Sequence, residues 1–254
     1  MSDQPLLELR QVSKHFGAVD ALVKVNFQVL PGEVMALVGD NGAGKSTLIK
    51  GVAGIYGYDE GEIYFDGKRV TINSPSDSAS LGIEVVYQDL ALADNLDVVA
   101  NMFLGRERTK APWRLDEPSM EIACVETLNS LSVSTLSSVR QKVAGLSGGQ
   151  RQAIAVAKAV MWNSRLVILD EPTAALGVAQ TAQVLSLVRR LAQKGLAVVL
   201  ISHNLHDVFE AADRITVLRL GHNVSEFITA QTNQQEVVHA ITAGKIQHVP
   251  GMKV

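Results

Sequence analysis

The chain has 254 residues, 47% of them apolar, and a formal net charge of -3 at pH 7. That much apolar side chain can bury a substantial core, as one large domain or as two small lobes sharing a core. The small charge announces no broad basic surface, so no nucleic-acid partner is expected, and the lone cysteine, Cys124, excludes an internal disulfide and a thiolate metal cluster.

In chain order, MSDQPLLELR lacks a basic start followed by an apolar run, which predicts no secretory signal. The longest apolar runs, such as LAVVLI at 196–201, have core-strand length. Crossing a bilayer takes about 20 mostly apolar residues, so the expected location is the cytosol. LLELR at 6–10 and VKVNFQVL at 23–30 alternate apolar and polar residues and read as half-buried antiparallel strands. Pro31-Gly32 makes a turn, and VMALVG at 34–39 is a continuous apolar run suited to a strand buried on both faces. A glycine-rich loop, a helix over 46–55, a strand pair over 62–70 turning at Asp66-Gly67, and a strand IEVVY at 83–87 follow.

From about 89 to 163 strand signals fade and helical patterns dominate, in DVVANMFLG, EPSMEIACVETLNSL and SGGQRQAIAVAKAVMW. This stretch reads as an inserted helical lobe, in which Cys124, set among Met120, Ile122, Val125 and Leu128, is a small core residue of a helix. Then RLVILD is a strand, VAQTAQVLSLVRRLAQK a helix, LAVVLI a strand and NLHDVFEAA a helix, and 214–229 closes as a hairpin around Gly221-His222. Alternating strands and helices imply an α/β fold with a mainly parallel sheet. The polar tail with Pro250-Gly251 is expected to be loose.

GDNGAGKS at 39–46 fits G-x-x-x-x-G-K-[ST], directly after a buried strand and before a helix. Glycines let the backbone approach phosphate oxygens and aim several N–H groups inward, and the following helix points its positive end at the same anion. Lys45 can reach the outer phosphates as a compact cation, and Ser46 can offer its hydroxyl to Mg2+. RLVILDEP at 165–172 is an apolar strand ending in two carboxylates at the edge where such sheets open onto ligand. Asp170 is placed to hold Mg2+ through water, and Glu171 to act as general base on an attacking water. A further anion cradle stands in LSGGQRQ at 146–152, where a serine and two glycines begin a helix. One phosphate loop has no need of a second such helix start in the same chain. Two copies arranged head to tail, each closing the other's ATP, account for it.

With these segments together, the chain resembles the ATP-binding cassette (ABC) ATPases over nearly its whole length. GDNGAGKST is similar to the family's Walker A loop, LSGGQ to its signature motif and RLVILDEP to its Walker B strand. The resemblance implies a P-loop NTPase core over 1–88 and 163–245, opened by an N-terminal antiparallel β subdomain, a helical subdomain over 89–162, and a tail over 246–254. It places Gly39, Asn41, Gly42, Ala43, Gly44, Lys45, Ser46 and Thr47 on the phosphates. Phe16 would stack on adenine, Gln88 would contact Mg2+ or the attacking water, and His203 would hold the γ-phosphate and orient Glu171. Ser147, Gly148, Gly149 and Gln150 would meet ATP held by a second copy, and 89–110 would face a membrane permease. One departure stands out: where the family usually has Leu-Asp, this chain has Leu176-Gly177.

The wording YQDLALADNLDVVANMFLGRE and EPTAALGV resembles the monosaccharide-importer branch, of ribose, xylose or fructose type, in which a sugar-binding protein and the permease choose the sugar. The single cassette reads as a homodimer-forming subunit or as half of a tandem chain. The rival readings are a mechanical or nucleic-acid-directed ATPase of the same family, a small-molecule kinase, and a module that holds ATP without turnover. No long coiled-coil insertion favours the first, the second anion cradle speaks against the kinase, and Glu171 with His203 speaks against the inert module.

Overall fold

A computed structural model of the chain describes residues 4–111, 113–133 and 136–244. The expected loose tail over 246–254 lies outside them. In order, the elements are β1 (Leu7–Phe16), β2 (Val19–Val29), β3 (Val34–Val38), α1 (Lys45–Val52), β4 (Glu60–Phe65), β5 (Lys68–Val70), α2 (Pro75–Ser80) and β6 (Ile83–Val86). Then come α3 (Val98–Phe103), β7 (Thr109–Ala111), β8 (Arg114–Leu115), α4 (Glu117–Ser130), α5 (Gly148–Val160), β9 (Leu166–Asp170) and α6 (Val178–Gln193). The chain continues through β10 (Ala197–Ile201), α7 (Leu205–Ala211), β11 (Arg214–Arg219), β12 (His222–Ile228) and α8 (Gln234–Ala243).

Among the described residues the strands form a six-stranded sheet of order β12-β11-β3-β10-β9-β6, a four-stranded sheet of order β2-β1-β4-β5, and the short pair β7-β8. The larger sheet is parallel from β11 to β6, with β12 antiparallel at its edge. The smaller sheet is antiparallel throughout. This is an α/β fold with a mainly parallel central sheet and an antiparallel β unit.

Period-two alternation along the central strands divides the core. Val34, Ala36 and Val38 face one cluster with Val167, Leu169, Val198 and Leu200, packed under α3, α4, α5, α6 and α7. Met35 and Leu37, with Ile168 and Val199, face the other cluster, which holds α1 and the β1–β2 hairpin. Each β3 residue is thus buried on one face or the other, which is why the run reads as continuously apolar.

Cys124 is a buried residue of α4, as expected, together with Met120 and Leu128, whereas its neighbours Ile122 and Val125 are 60% and 38% exposed. The three buried ones are spaced i, i+4, i+8 and share a helix face; Ile122 and Val125 fall off it. The hairpin between β11 and β12 turns one residue earlier than expected, with Leu220 (φ 47°) and Gly221 (φ 78°) both left-handed and Arg219 paired with His222. The β7-β8 pair inside the largely helical stretch, α2 and α8 were not foreseen. β7, β8 and α2 are short; Ser74 and Asp77 cap α2 reciprocally with Pro75 at its first turn, and its buried Ser78 hydroxyl donates to the Val52 carbonyl (3.0 Å).

Candidate functional site

The cavity at the carboxyl ends of β3, β9 and β10 has a volume of about 960 Å3. It is lined by the loop 39–47 together with Gln88, Asp170, Glu171, Ser202 and His203. Val19, Asp20 and Ala21 from β2 close one side, and Leu220 and Ile241 contribute further lining. These last five escaped the sequence reading because no motif marks them; only the fold brings them here.

The loop between β3 and α1 is built on unusual backbone. Gly39, Gly42 and Gly44 have φ of 151°, 79° and 104°. A Cβ on Gly39 would stand 2.2 Å from the Leu218 carbonyl oxygen, and one on Gly44 2.8 Å from Leu22 Cδ2 and 2.9 Å from the Ala21 oxygen. Glycine is therefore required twice, by conformation and by close approach. The Lys45 ammonium donates to the carbonyls of Gly39 (2.6 Å) and Asp40 (3.0 Å), so it lies along the inner wall of the loop. Burial lowers its proton affinity from the ordinary lysine value, opposed by the negative charges of Glu171, Asp170 and Asp40. Asp170, at the end of β9, is pushed above the ordinary carboxylate range by burial and then by repulsion from Glu171, with Lys45 opposing.

Glu171 leaves the strand with φ 51°, a left-handed conformation that costs a side-chain-bearing residue about 1 kcal/mol or more. Its N–H donates to the Ile201 carbonyl (2.9 Å), which fixes the turn against β10. His203 Nδ1 lies 2.8 Å from the Glu171 carboxylate, and the His203 backbone N–H donates to the same oxygen at 3.4 Å. His203 is 70% exposed at its side chain and Glu171 15%, so the pair reaches from a sheltered carboxylate to the open rim. Behind it, the buried Asp207 accepts from the Thr173 hydroxyl (2.6 Å) and from Asn204 Nδ2 (2.9 Å). Sequence reasoning missed this contact; only the Asn204-x-x-Asp207 spacing at a helix start hinted at it.

Other expected residues lie elsewhere. Phe16, at the end of β1, is 47% exposed and packs edge-on against Tyr56, with ring centroids 5.3 Å apart, beside rather than within the cavity lining. Ser147, Gly148, Gly149 and Gln150 do not line the cavity. Ser147 caps α5: its hydroxyl accepts from the Gln150 N–H (3.3 Å), and Gln150 Oε1 accepts from the Ser147 N–H (2.9 Å). Ser147 and Gly148 are exposed, while Gly149 is buried, and a Cβ there would stand 3.1 Å from Gln180 Cβ on α6. Gly177, the departure from the Leu-Asp pattern, precedes α6 with φ -73°, a conformation open to any residue, and nothing lies within 4 Å of a Cβ placed there.

The loop after Gln88 is tied to the approach to Ser147. The fully buried Asn101 accepts from the Ala93 N–H (2.7 Å), and its Nδ2 donates to the carbonyls of Ala93 (3.0 Å) and Asp97 (2.9 Å). The N–H groups of Ala144 and Val143 donate to Asp94 and Leu96 (both 3.0 Å), and Arg151 pairs with Asp94 (2.9 Å).

Ser46, Gln88 and Asp170 bring oxygen donors to one cavity. A small hard cation that keeps several waters and shares phosphate ligands suits such a partial set. Among the described residues no group of three His, Cys, Asp or Glu side chains could hold a metal ion. No helix among them is long and apolar enough to cross a membrane.

Residues 22–174 match the family described as ABC transporter. The chain is 47% identical over 243 residues to the xylose/arabinose import ATP-binding protein XylG of Sulfolobus acidocaldarius, covering 96% of this chain and 95% of that protein. It is 43% identical to the fructose import ATP-binding protein FrcA of Rhizobium meliloti, covering 96% of each. It is 42% identical to the ribose import ATP-binding protein RbsA 1 of Rubrobacter xylanophilus, of which it spans 48%. Among solved structures, an ATP-binding cassette of an ABC transporter in its ADP conformation superposes with a TM-score of 0.81 at 27% identity, covering 96% of this chain and 97% of that one. A dimeric post-hydrolysis cassette bound to ADP and Pi gives 0.72 at 25% identity, covering 88% and 98%.

Proposed function

The chain belongs to the ABC transporter family, whose ATP-binding subunits hydrolyse ATP, and on that premise we propose that it is the motor subunit of a monosaccharide importer. Its relatives named for xylose/arabinose, fructose and ribose import support the substrate class. It works as a homodimer on the cytoplasmic side of the membrane, attached to a separate permease that receives sugar from a binding protein.

The observation that carries the reading is a division of labour. The phosphate loop, Glu171 and His203 line one cavity, whereas the Ser147 helix start, an anion cradle of its own, opens outside it. A second copy placed against the first brings the two together. Within each copy, the N–H groups of 41–46 and the Lys45 ammonium hold the phosphates. Ser46, Asp170 and Gln88 would hold magnesium, which would supply charge neutralisation at the phosphates. Glu171 takes the proton of the attacking water, and His203, braced through Nδ1, presents its other ring nitrogen to the γ-phosphate. Phe16 stands at the adenine end, and Gln88 begins the permease-facing loop over 89–110. Closure of the dimer moves the helical stretch and the permease; hydrolysis resets them.

Glu171→Gln, which keeps the shape of the side chain and removes the base, should retain ATP and accumulate as a dimer. Light scattering at saturating ATP and Mg2+ checks this; a monomer there overturns the two-subunit sandwich. Capture of the permease from native membranes identifies the transporter.

A further inference from the structure

We infer that Asp207 is a positioning residue for hydrolysis, locking the loop that carries Glu171 to the loop that carries His203 through the Thr173 hydroxyl; this rests on the reading of Glu171 and His203 given above. Asp207 is 2% exposed, and its two carboxylate oxygens have different partners. One accepts from Thr173 Oγ1 at 2.6 Å, the other from Asn204 Nδ2 at 2.9 Å. Thr173 lies two residues after Glu171 within the same turn, where the Ala174 N–H donates to the Glu171 carbonyl (3.3 Å) and the Leu176 N–H to the Thr173 carbonyl (3.1 Å). Asn204 adjoins His203. The Thr173–Asp207–Asn204 chain therefore spans the same gap as the 2.8 Å Glu171–His203 pair, from the buried side.

Helix capping does not account for it. Asn204 already caps α7, its Oδ1 accepting from the His206 N–H at 3.0 Å, and that bond fixes which end of the Asn204 amide faces Asp207. The Thr173 hydroxyl and the Asn204 amide both donate to Asp207, one to each oxygen. A carboxylate accepts both; an asparagine would have to reverse the Thr173 bond, its NH2 donating to the hydroxyl, and would lose the short charge-assisted contact. The nearest cationic candidate, His206 Nδ1, is 3.9 Å away and 76% exposed, so the buried carboxylate is held chiefly by hydrogen bonds from neutral groups. The Glu171 backbone, with its left-handed φ, depends on such outside support.

The test measures ATP turnover, nucleotide binding and thermal melting for the wild type and for Glu171→Gln, Thr173→Val, Thr173→Ser, Asp207→Asn and the Thr173→Val/Asp207→Asn double variant. Misplacing a reacting group by about 1 Å costs roughly a hundredfold in rate, so Thr173→Val and Asp207→Asn should each lower kcat about ten- to a hundredfold. KM for ATP, set by the 39–47 loop, should stay within about twofold. The double variant should be no slower than the slower single, and Thr173→Ser, which keeps the hydroxyl, should recover most of the rate lost by Thr173→Val. Singles that turn over like the wild type, a kcat loss matched by a rising KM, or multiplying losses in the double variant overturn the inference. Should Asp207→Asn fail to fold, the Thr173→Val and Thr173→Ser comparison decides alone. A Glu171→Gln variant as active as the wild type would instead sink the reading of Glu171, and this inference with it.

Discussion

The turn before α1 and the turn before α5 both place glycines at a helix start, yet the glycines serve different ends. Before α1, three glycines hold positive φ, and their Cβ positions at Gly39 and Gly44 are filled by backbone atoms of neighbouring strands. The loop lines a cavity together with Lys45 and the carboxylates of Asp170 and Glu171. Before α5, neither Gly148 nor Gly149 has positive φ, and the start is an ordinary capping box. Glycine suits the start because Leu176, in the turn before α6, and Gln180, on α6, come close. The first start lies in the cavity of its own chain; the second packs on α6 with Ser147 and Gly148 exposed.

The sharpest way to break this contrast is complementation. Lys45→Ala removes the cation of the first start, and Ser147→Arg fills the second; each homogeneous protein should lose about a hundredfold or more in turnover. ATP binding to the Ser147→Arg chain alone should be little changed. Mixed in equal amounts, the two should recover about a quarter of wild-type turnover, since half the dimers are mixed and each carries one intact composite site. If the mixture stays inactive in a turnover assay, the two starts act within one chain.

Stability separates them next. Gly39→Ala forces a Cβ against the Leu218 carbonyl at a φ that alanine resists, and should cost about 2–4 kcal/mol. Gly148→Ala meets only the end of a flexible leucine, Leu176 Cδ2 at 2.9 Å, and should cost under about 1 kcal/mol. Urea unfolding of both variants checks the order; equal losses would mean that both starts depend on backbone conformation.

The smallest effect expected comes from Cys124, which touches neither start. Burial, then the nearby Asp97 and Glu121, pushes its thiol up to about 12. Between the ordinary thiol value and about 12 the folded chain keeps a proton that the unfolded chain releases, so stability falls as pH rises through that window. Cys124→Ala should unfold with a slightly flatter alkaline dependence, by calorimetry, and native wild type at pH 8 should react slowly with thiol reagents.

What the sequence disclosed follows from how local each signal is. The β3 strand, the loop 39–46 and α1 were legible because conformation, burial and chemistry fall within one short run. The carboxylates at the end of β9 were legible because the apolar strand stops there. The Thr173–Asp207 bond was not, since it joins residues 34 apart that only the β9–β10 pairing brings together. The β7-β8 pair, of three and two residues, is too short to leave a pattern, and α8 was not picked out although it is longer than α1. That Ser147 lies outside the cavity lining depends on how α5 packs on α6.

The saturated amide of Asn101 has a mechanical consequence. Because its hydrogen bonds all return to residues 93–97, that loop has no slack of its own, and the bonds from Val143 and Ala144 weld it to the strand of chain entering α5. A push on the loop would therefore be passed straight to the chain entering α5, which these bonds hold against it.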